Sequence, residues 1–155
     1  MKYLFIAFCL LSLPKLSFAQ TDEKAAVIAT VQALFDAMAA KDSVSARKLL
    51  LPAGASYITQ QANDSTPASY WAHDNIILQM RKAENQVRER MWNIEVLVHD
   101  RIAQLWANYD FYVNGQFRHC GVDAFILIKE KDGWKIASGA FTIEKTGCEA
   151  PPTNN

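Results

Sequence analysis

An Asn-Gly pair between two strand-like runs is the tightest constraint in this sequence. Asn114-Gly115 separates residues 103–113 from residues 117–128, both rich in aromatic and β-branched side chains. A type I′ turn needs positive φ at both central positions, which Asn and Gly adopt at little cost. The chain must reverse there, and the turn sets which residues face each other. Lys131-Asp132-Gly133-Trp134 reads as a second such turn, centred on Asp132-Gly133, and Asp100-Arg101 as the turn before Ala103. With residues 91–98 ahead of them, these bends predict four consecutive antiparallel strands.

The upstream half reads as helices. Thr21-Asp22-Glu23 offers a capping side chain and first-turn acids. Val27, Ile28, Val31, Leu34, Phe35 and Met38 then recur at helical spacing up to Lys41. Asp42 or Ser43 can cap a short second helix, which Pro52 stops. Residues 53–59 read as a turn and a short strand, and residues 63–67 as a loop. Residues 69–83 are expected to form a third helix, with Trp71, Ile76, Ile77 and Met80 on its apolar side.

Residues 1–19 read as a secretory signal peptide: Met1-Lys2, an apolar run too short to span a bilayer, and Ser17-Phe18-Ala19 before a cleavage point at Gln20. The expected organisation is a signal peptide over 1–19, one domain over 20–149 and a frayed tail over 150–155. The expected location is the periplasm or the exterior, with no membrane attachment after cleavage. Without Lys2 and Lys15 the chain carries 14 basic and 16 acidic residues, a net charge of −2. With no clustered basic face, nucleic acid is not an expected partner. Cys120 and Cys148 survive cleavage, and an even count in an oxidising compartment points to a disulfide between them. No Cys/His spacing suggests a metal site.

The turns also sort side chains by face. The expected register pairs Asp110 with His119, Tyr109 with Cys120, Trp106 with Asp123, Asp123 with Thr142 and Val96 with Leu105. One face then collects Trp92, Ile94, Val96, Ala103, Leu105, Tyr109, Val122, Ala124 and Ile126. It is apolar and is expected to pack on the helices. The other collects Glu95, Trp106, Asp110, His119, Asp123, Phe125 and Thr142. Directly opposed residues have Cβ atoms about 4.5–5.5 Å apart. Asp110 and His119 so placed form either a general acid/base pair, with Asp123 as a second carboxylate, or a cross-strand ion pair on a solvated or dimer-facing surface. Trp106, Tyr109 and Phe125 are the expected ligand contacts. One bulge between Tyr109 and Asp123, for which Gly121 is a candidate site, would exchange the faces. The charge clusters Arg81-Lys82 and Arg88-Glu89-Arg90 read as solvated surface.

Helices first, then a strongly bent antiparallel sheet, is an α+β order that resembles the nuclear transport factor 2-like superfamily. The stretches "WANYDFYVNGQFRHCGVDAF", "DGWKIASG" and the closing "GC" resemble its exported SnoaL-like or lumazine-binding-like branch. The resemblance implies three helices packed on a sheet that closes into a cone, a pocket at the wide end for a small apolar molecule, and a homodimer through the outer sheet face. Enzymes of the fold use Asp, His and Tyr in apolar pockets without a cofactor. That makes His119 the expected acid/base, Asp110 its orienter and Asp123 a second carboxylate, in isomerase, dehydratase or cyclase chemistry. The first helix lacks the Tyr of ketosteroid isomerases. The alternative implied function is a non-enzymatic, homodimeric interaction module.

Overall fold

A computed structural model describes residues 16–60 and 67–151. The expected signal segment lies outside the described residues up to position 15, as do residues 61–66 and 152–155. Helix α1 spans Leu16–Ala40, so the expected cleavage point falls within its first turns. Val27, Val31, Leu34 and Phe35 form its buried stripe. Lys41 takes a left-handed conformation (φ 57°) and ends the helix, its N–H and that of Asp42 turning back to the carbonyls of Met38 and Ala37. Asp42 caps α2 (Ser43–Leu49), Oδ1 accepting from the backbone of Val44 and Ser45 at 3.1 and 3.0 Å.

Strand β1 runs over Leu50–Gln60 and includes Pro52, so it is longer than the sequence suggests. A strand of that length offers an edge to the next segment. Ser69–Ala72, expected to open the third helix, is strand β2, paired antiparallel to β1 with Trp71 opposite Ser56. Helix α3 is only His73–Lys82. Pairing with an available edge outweighs the weak helical preference of Ser69-Tyr70-Trp71.

Strands β3 (Val87–His99), β4 (Ile102–Val113), β5 (Gln116–Glu130) and β6 (Gly133–Ile143) complete one six-stranded sheet in the order β2-β1-β6-β5-β4-β3. Only β1 and β6 are parallel. The helices cover one face, and the core lies between them and Val96, Leu105, Phe125, Leu127 and Ile136. Among the described residues no helix is long and apolar enough to cross a membrane.

The turn at Asn114-Gly115 forms with φ 52° and 75°. The pair Val96–Leu105 is as expected, and Glu95 lies opposite Trp106. Three bulges set the rest. At Asn93 (φ 51°) β3 slips, which puts Trp92 opposite Asn108 on the outer face instead of beside Val96. At Arg118 β5 slips against β4: Tyr112 still faces Phe117, but Phe111 faces His119 and Asp110 faces Cys120. The second turn is centred on Lys131-Asp132, with Glu130 opposite Gly133. A slip at Ala137 then brings Asp123 opposite Phe141, not Thr142. Each bulge adds twist and bend, which curves the sheet around the helices.

The Arg118 bulge exchanges the faces of β5. His119, Asp123 and Phe125 turn inward, while Val122, Ala124 and Ile126 turn outward. The expected Asp110–His119 pair does not form, because alternation along the strands sends the two side chains to opposite sides of the sheet.

Candidate functional site

The concave side of the sheet and α1 enclose a cavity of about 360 Å³. Its wall is mostly hydrocarbon and aromatic: Phe35 from α1, Trp71 from β2, Phe111, Phe125 and Phe141 from the sheet. Polar groups enter at Glu89 on β3, Tyr109 on β4, His119 and Asp123 on β5, and Ser56 on β1. Among the described residues no Lys or Arg lines it.

Tyr109 is fully buried, and its hydroxyl holds two neighbours. It donates to the Thr142 carbonyl at 2.6 Å and lies 3.0 Å from His119 Nδ1. A phenol has one proton. With that proton on Thr142, Nδ1–H of His119 must donate to the phenol oxygen, which leaves Nε2 with a free lone pair. The His119 ring is stacked on Phe111, centroids 5.0 Å apart, and edge-on to Tyr109. Burial lowers its pKa, so the ring is neutral at pH 7 and Nε2 is a base. Burial, then the nearby Asp123, Glu89 and Glu144 carboxyls, raise the Tyr109 pKa and keep the phenol protonated.

Gly121, opposite Tyr109, makes this approach possible. A Cβ there would collide with the carbonyl and side chain of Thr142, the residue that anchors the phenol. The Thr142 hydroxyl in turn accepts from Val122 N–H and donates to Glu144.

Asp123 is 1 % exposed, and its Oδ2 has no hydrogen-bond partner among the described residues. Its neighbour is the Glu89 carboxyl, which lines the same cavity from a half-buried residue. Burial raises both, Glu89 to about 8 and Asp123 well above the ordinary carboxylate range; the Glu89 carboxyl adds to the rise of Asp123, while the contact with Asp123 works against the rise of Glu89. Two carboxyls can hydrogen-bond only when one is protonated, so the pair keeps at least one proton at neutral pH. The cavity wall therefore carries a protonated acid and an unprotonated base together.

Of the residues singled out from the sequence, His119, Asp123, Tyr109 and Phe125 line this cavity. Asp110 does not. It sits beneath the outer face in a fork with Arg90, whose Nε is 2.9 Å from Oδ1 and whose Nη2 meets Oδ2, and Tyr112 donates to the same oxygen at 3.3 Å. Trp106 is also on the outer side, 47 % exposed. Glu89 was not among the candidates, since it lies in a charged triplet. Strand alternation was the available signal: Arg88 and Arg90 share one face, and Glu89 points to the other.

Cys120 and Cys148 form a disulfide with Cα atoms 5.9 Å apart. Cys120 is on the outer face, paired through its backbone with Glu144. The chain turns at Gly147 (φ 77°), and Glu149 accepts from Asn93 at 3.1 Å and Asn108 at 2.6 Å. This end of the chain covers the outward-turned Trp92, which is 8 % exposed.

Solved structures share the fold at low identity. A "putative dehydratase from the NTF2-like family" of Streptomyces avermitilis aligns with TM-score 0.63 and 16 % identity over 83 % of this chain and 99 % of that one. The beta subunit of a "putative aromatic-ring-hydroxylating dioxygenase" of Novosphingobium aromaticivorans gives 0.67 and 13 % over 83 % and 93 %. An "NTF-2 like protein of unknown function" from Silicibacter pomeroyi gives 0.61 and 17 % over 81 % and 98 %. No curated protein matches the chain. The family described as "Putative lumazine-binding" matches residues 22–142. The chain therefore belongs to that family, within the nuclear transport factor 2-like superfamily.

Proposed function

We propose that this protein binds a small, largely apolar molecule in the cone and that the polar end of the cavity serves cofactor-free proton transfer. The observation that carries the reading is the arrangement at that end: His119, with Nδ1 3.0 Å from the Tyr109 hydroxyl, lines the same cavity as Glu89 and the buried Asp123. Burial keeps a proton on the Glu89–Asp123 pair and off His119. Environments that drive an acid and a base apart in this way are what acid/base catalysis at neutral pH requires. The Streptomyces avermitilis relative named as a "putative dehydratase" would need the same pair of roles, a base for a C–H proton and an acid for the departing oxygen. Here His119 would act as base and Glu89–Asp123 as acid, with Tyr109 holding the imidazole tautomer. Asp110, confined to the outer face, has no part in it.

Export is the proposed location, supported by the character of residues 1–19 and by the disulfide. A homodimer through the outer face is proposed on the exposed Trp106 and Ile126 (47 % and 39 %). The test is a thermal-shift screen of the chain from Gln20 against hydrophobic metabolites, repeated with His119→Ala. A bound ligand adds about 2.7 kcal/mol of apparent stability at a hundredfold excess over its dissociation constant. Stabilisation by a ligand class, with turnover abolished in His119→Ala, supports the reading. No shift across a broad library, together with a monomer–dimer equilibrium disturbed by Trp106→Ser, supports the interaction-module alternative instead.

A further inference from the structure

Glu89 and Asp123 are carboxyls in a cavity that offers them no cation. Asp123 Oδ2 is buried and without a hydrogen-bond partner, and among the described residues no Lys or Arg lines the wall. The titratable groups facing the pair are Tyr109 and His119 inside the cavity. Asp110, paired with Arg90, lies on the other side of the sheet, and its charge adds to the rise of Glu89. The remaining wall presents Phe35, Trp71, Phe111, Phe125 and Phe141. Aromatic faces attract a cation through their quadrupoles, more strongly where water is excluded. A buried carboxyl without a partner gains most from a charged donor.

We propose that the ligand of this cavity is an apolar amine, its ammonium seated against the Glu89 and Asp123 carboxyls and its hydrocarbon body among the aromatic rings. The inference rests on the binding half of the function proposed above and names its ligand class. An entering ammonium displaces a proton from the carboxyl pair, which burial holds above the ordinary carboxylate range. Binding thus releases a proton below about pH 8 and strengthens as pH rises toward that value. Carboxylate ligands are excluded, because they would add a third acid to a site with no countercharge.

Three probes of nearly one shape separate these outcomes: 1-naphthylmethylamine, 1-naphthalenemethanol and 1-naphthoic acid. Their binding to the chain from Gln20 is measured by calorimetry at pH 7, in two buffers of different ionisation enthalpy. The amine is expected to bind about tenfold more tightly than the alcohol, as a charge-assisted contact exceeds a neutral one. It should release close to one proton, and the acid should not bind. Glu89→Gln, checked for folding by its melting transition, should abolish the amine's advantage and the proton release. Asp123→Asn is the second variant, should Glu89→Gln fail to fold. Binding of the alcohol with an equal or weaker amine overturns the amine assignment and leaves the cavity reading standing. Tightest binding by the acid overturns it as well. Binding by none of the three overturns both.

Discussion

Replacing Glu89 by Gln should change how stability depends on pH, and the size of the change comes from the buried pair. Burial raises both Glu89 and Asp123 in the folded chain, from ordinary values of 4.5 and 3.8. A group whose folded pKa is raised favours the folded state below its unfolded value, and that stability is lost as pH rises through the folded value. For Glu89 the loss spans pH 4.5 to about 8. Two histidines act in the opposite sense. Burial lowers both His73 and His119, so their contribution rises with pH and is complete above their unfolded value of 6.5. The interval from pH 6.5 to 8 therefore isolates the carboxyls. Each proton held only by the folded state costs about 1.4 kcal/mol per pH unit. The Glu89 proton, held to about pH 8, gives by itself a loss of roughly 1.5–2 kcal/mol over this interval in the wild type, and the raised Asp123 acts in the same direction. Glu89→Gln should remove the Glu89 part and fall less steeply over the same interval. The assay is urea unfolding at constant ionic strength at pH 6.5, 7.0, 7.5 and 8.0, read as the free energy extrapolated to water. Stability that is flat or rising in the wild type over this range would refute the reasoning, since the carboxyls would then be ionised and solvated in the folded chain.

Three further outcomes rest on the same structure. Cys148→Ser opens a loop of sequence separation 28 and should cost about 3.5 kcal/mol in the chain-entropy estimate, with Trp92 emission shifting red as its cover is released. Arg90→Met strands the buried Asp110 carboxylate. It should cost roughly 2–3 kcal/mol, near the low end for a broken buried pair because Arg90 is partly exposed, and a urea series should show it with ligand affinity unchanged. Tyr109→Phe removes the donor to Thr142 and the acceptor for His119 Nδ1–H. It should cost about 1–2 kcal/mol in the same urea series, and ¹⁵N spectra of the ring should show His119 no longer held in one tautomer.

Local chemistry made much of this architecture legible in the residues alone. Positive φ at Asn114-Gly115, the side-chain cap at Asp42 and the 3.6-residue spacing from Val27 to Met38 are short-range effects, and each forms where the residues direct it. The pairing of Val96 with Leu105 comes from turn geometry over a few residues. The two cysteines could be assigned to each other because they are the pair that remains outside the expected signal peptide, residues 1–19. The long β1, and with it the conversion of Ser69–Ala72 to strand, required knowing which edge was vacant, and that is a property of the assembled sheet.

The candidate site was half legible for one physical reason. Side chains alternate with a period of two, so a single inserted residue reverses everything beyond it. His119, Asp123, Tyr109 and Phe125 were visible as chemistry, but the side of the sheet each would face depended on a bulge at Arg118. Arg118 is an ordinary strand residue, and nothing local marks it. The bulge is stabilised by what it buries: Phe125 against Phe35, and Tyr109 against Thr142 across Gly121. Those contacts join residues far apart in the chain. Sequence by itself determined the helices-then-strands order, the turn at Asn114-Gly115 and the presence of His119, Asp123 and Tyr109 as reactive groups. Tertiary packing alone decided that Glu89 would join Asp123 inside and that Asp110 would be held outside by Arg90, because only the folded sheet specifies which face is enclosed.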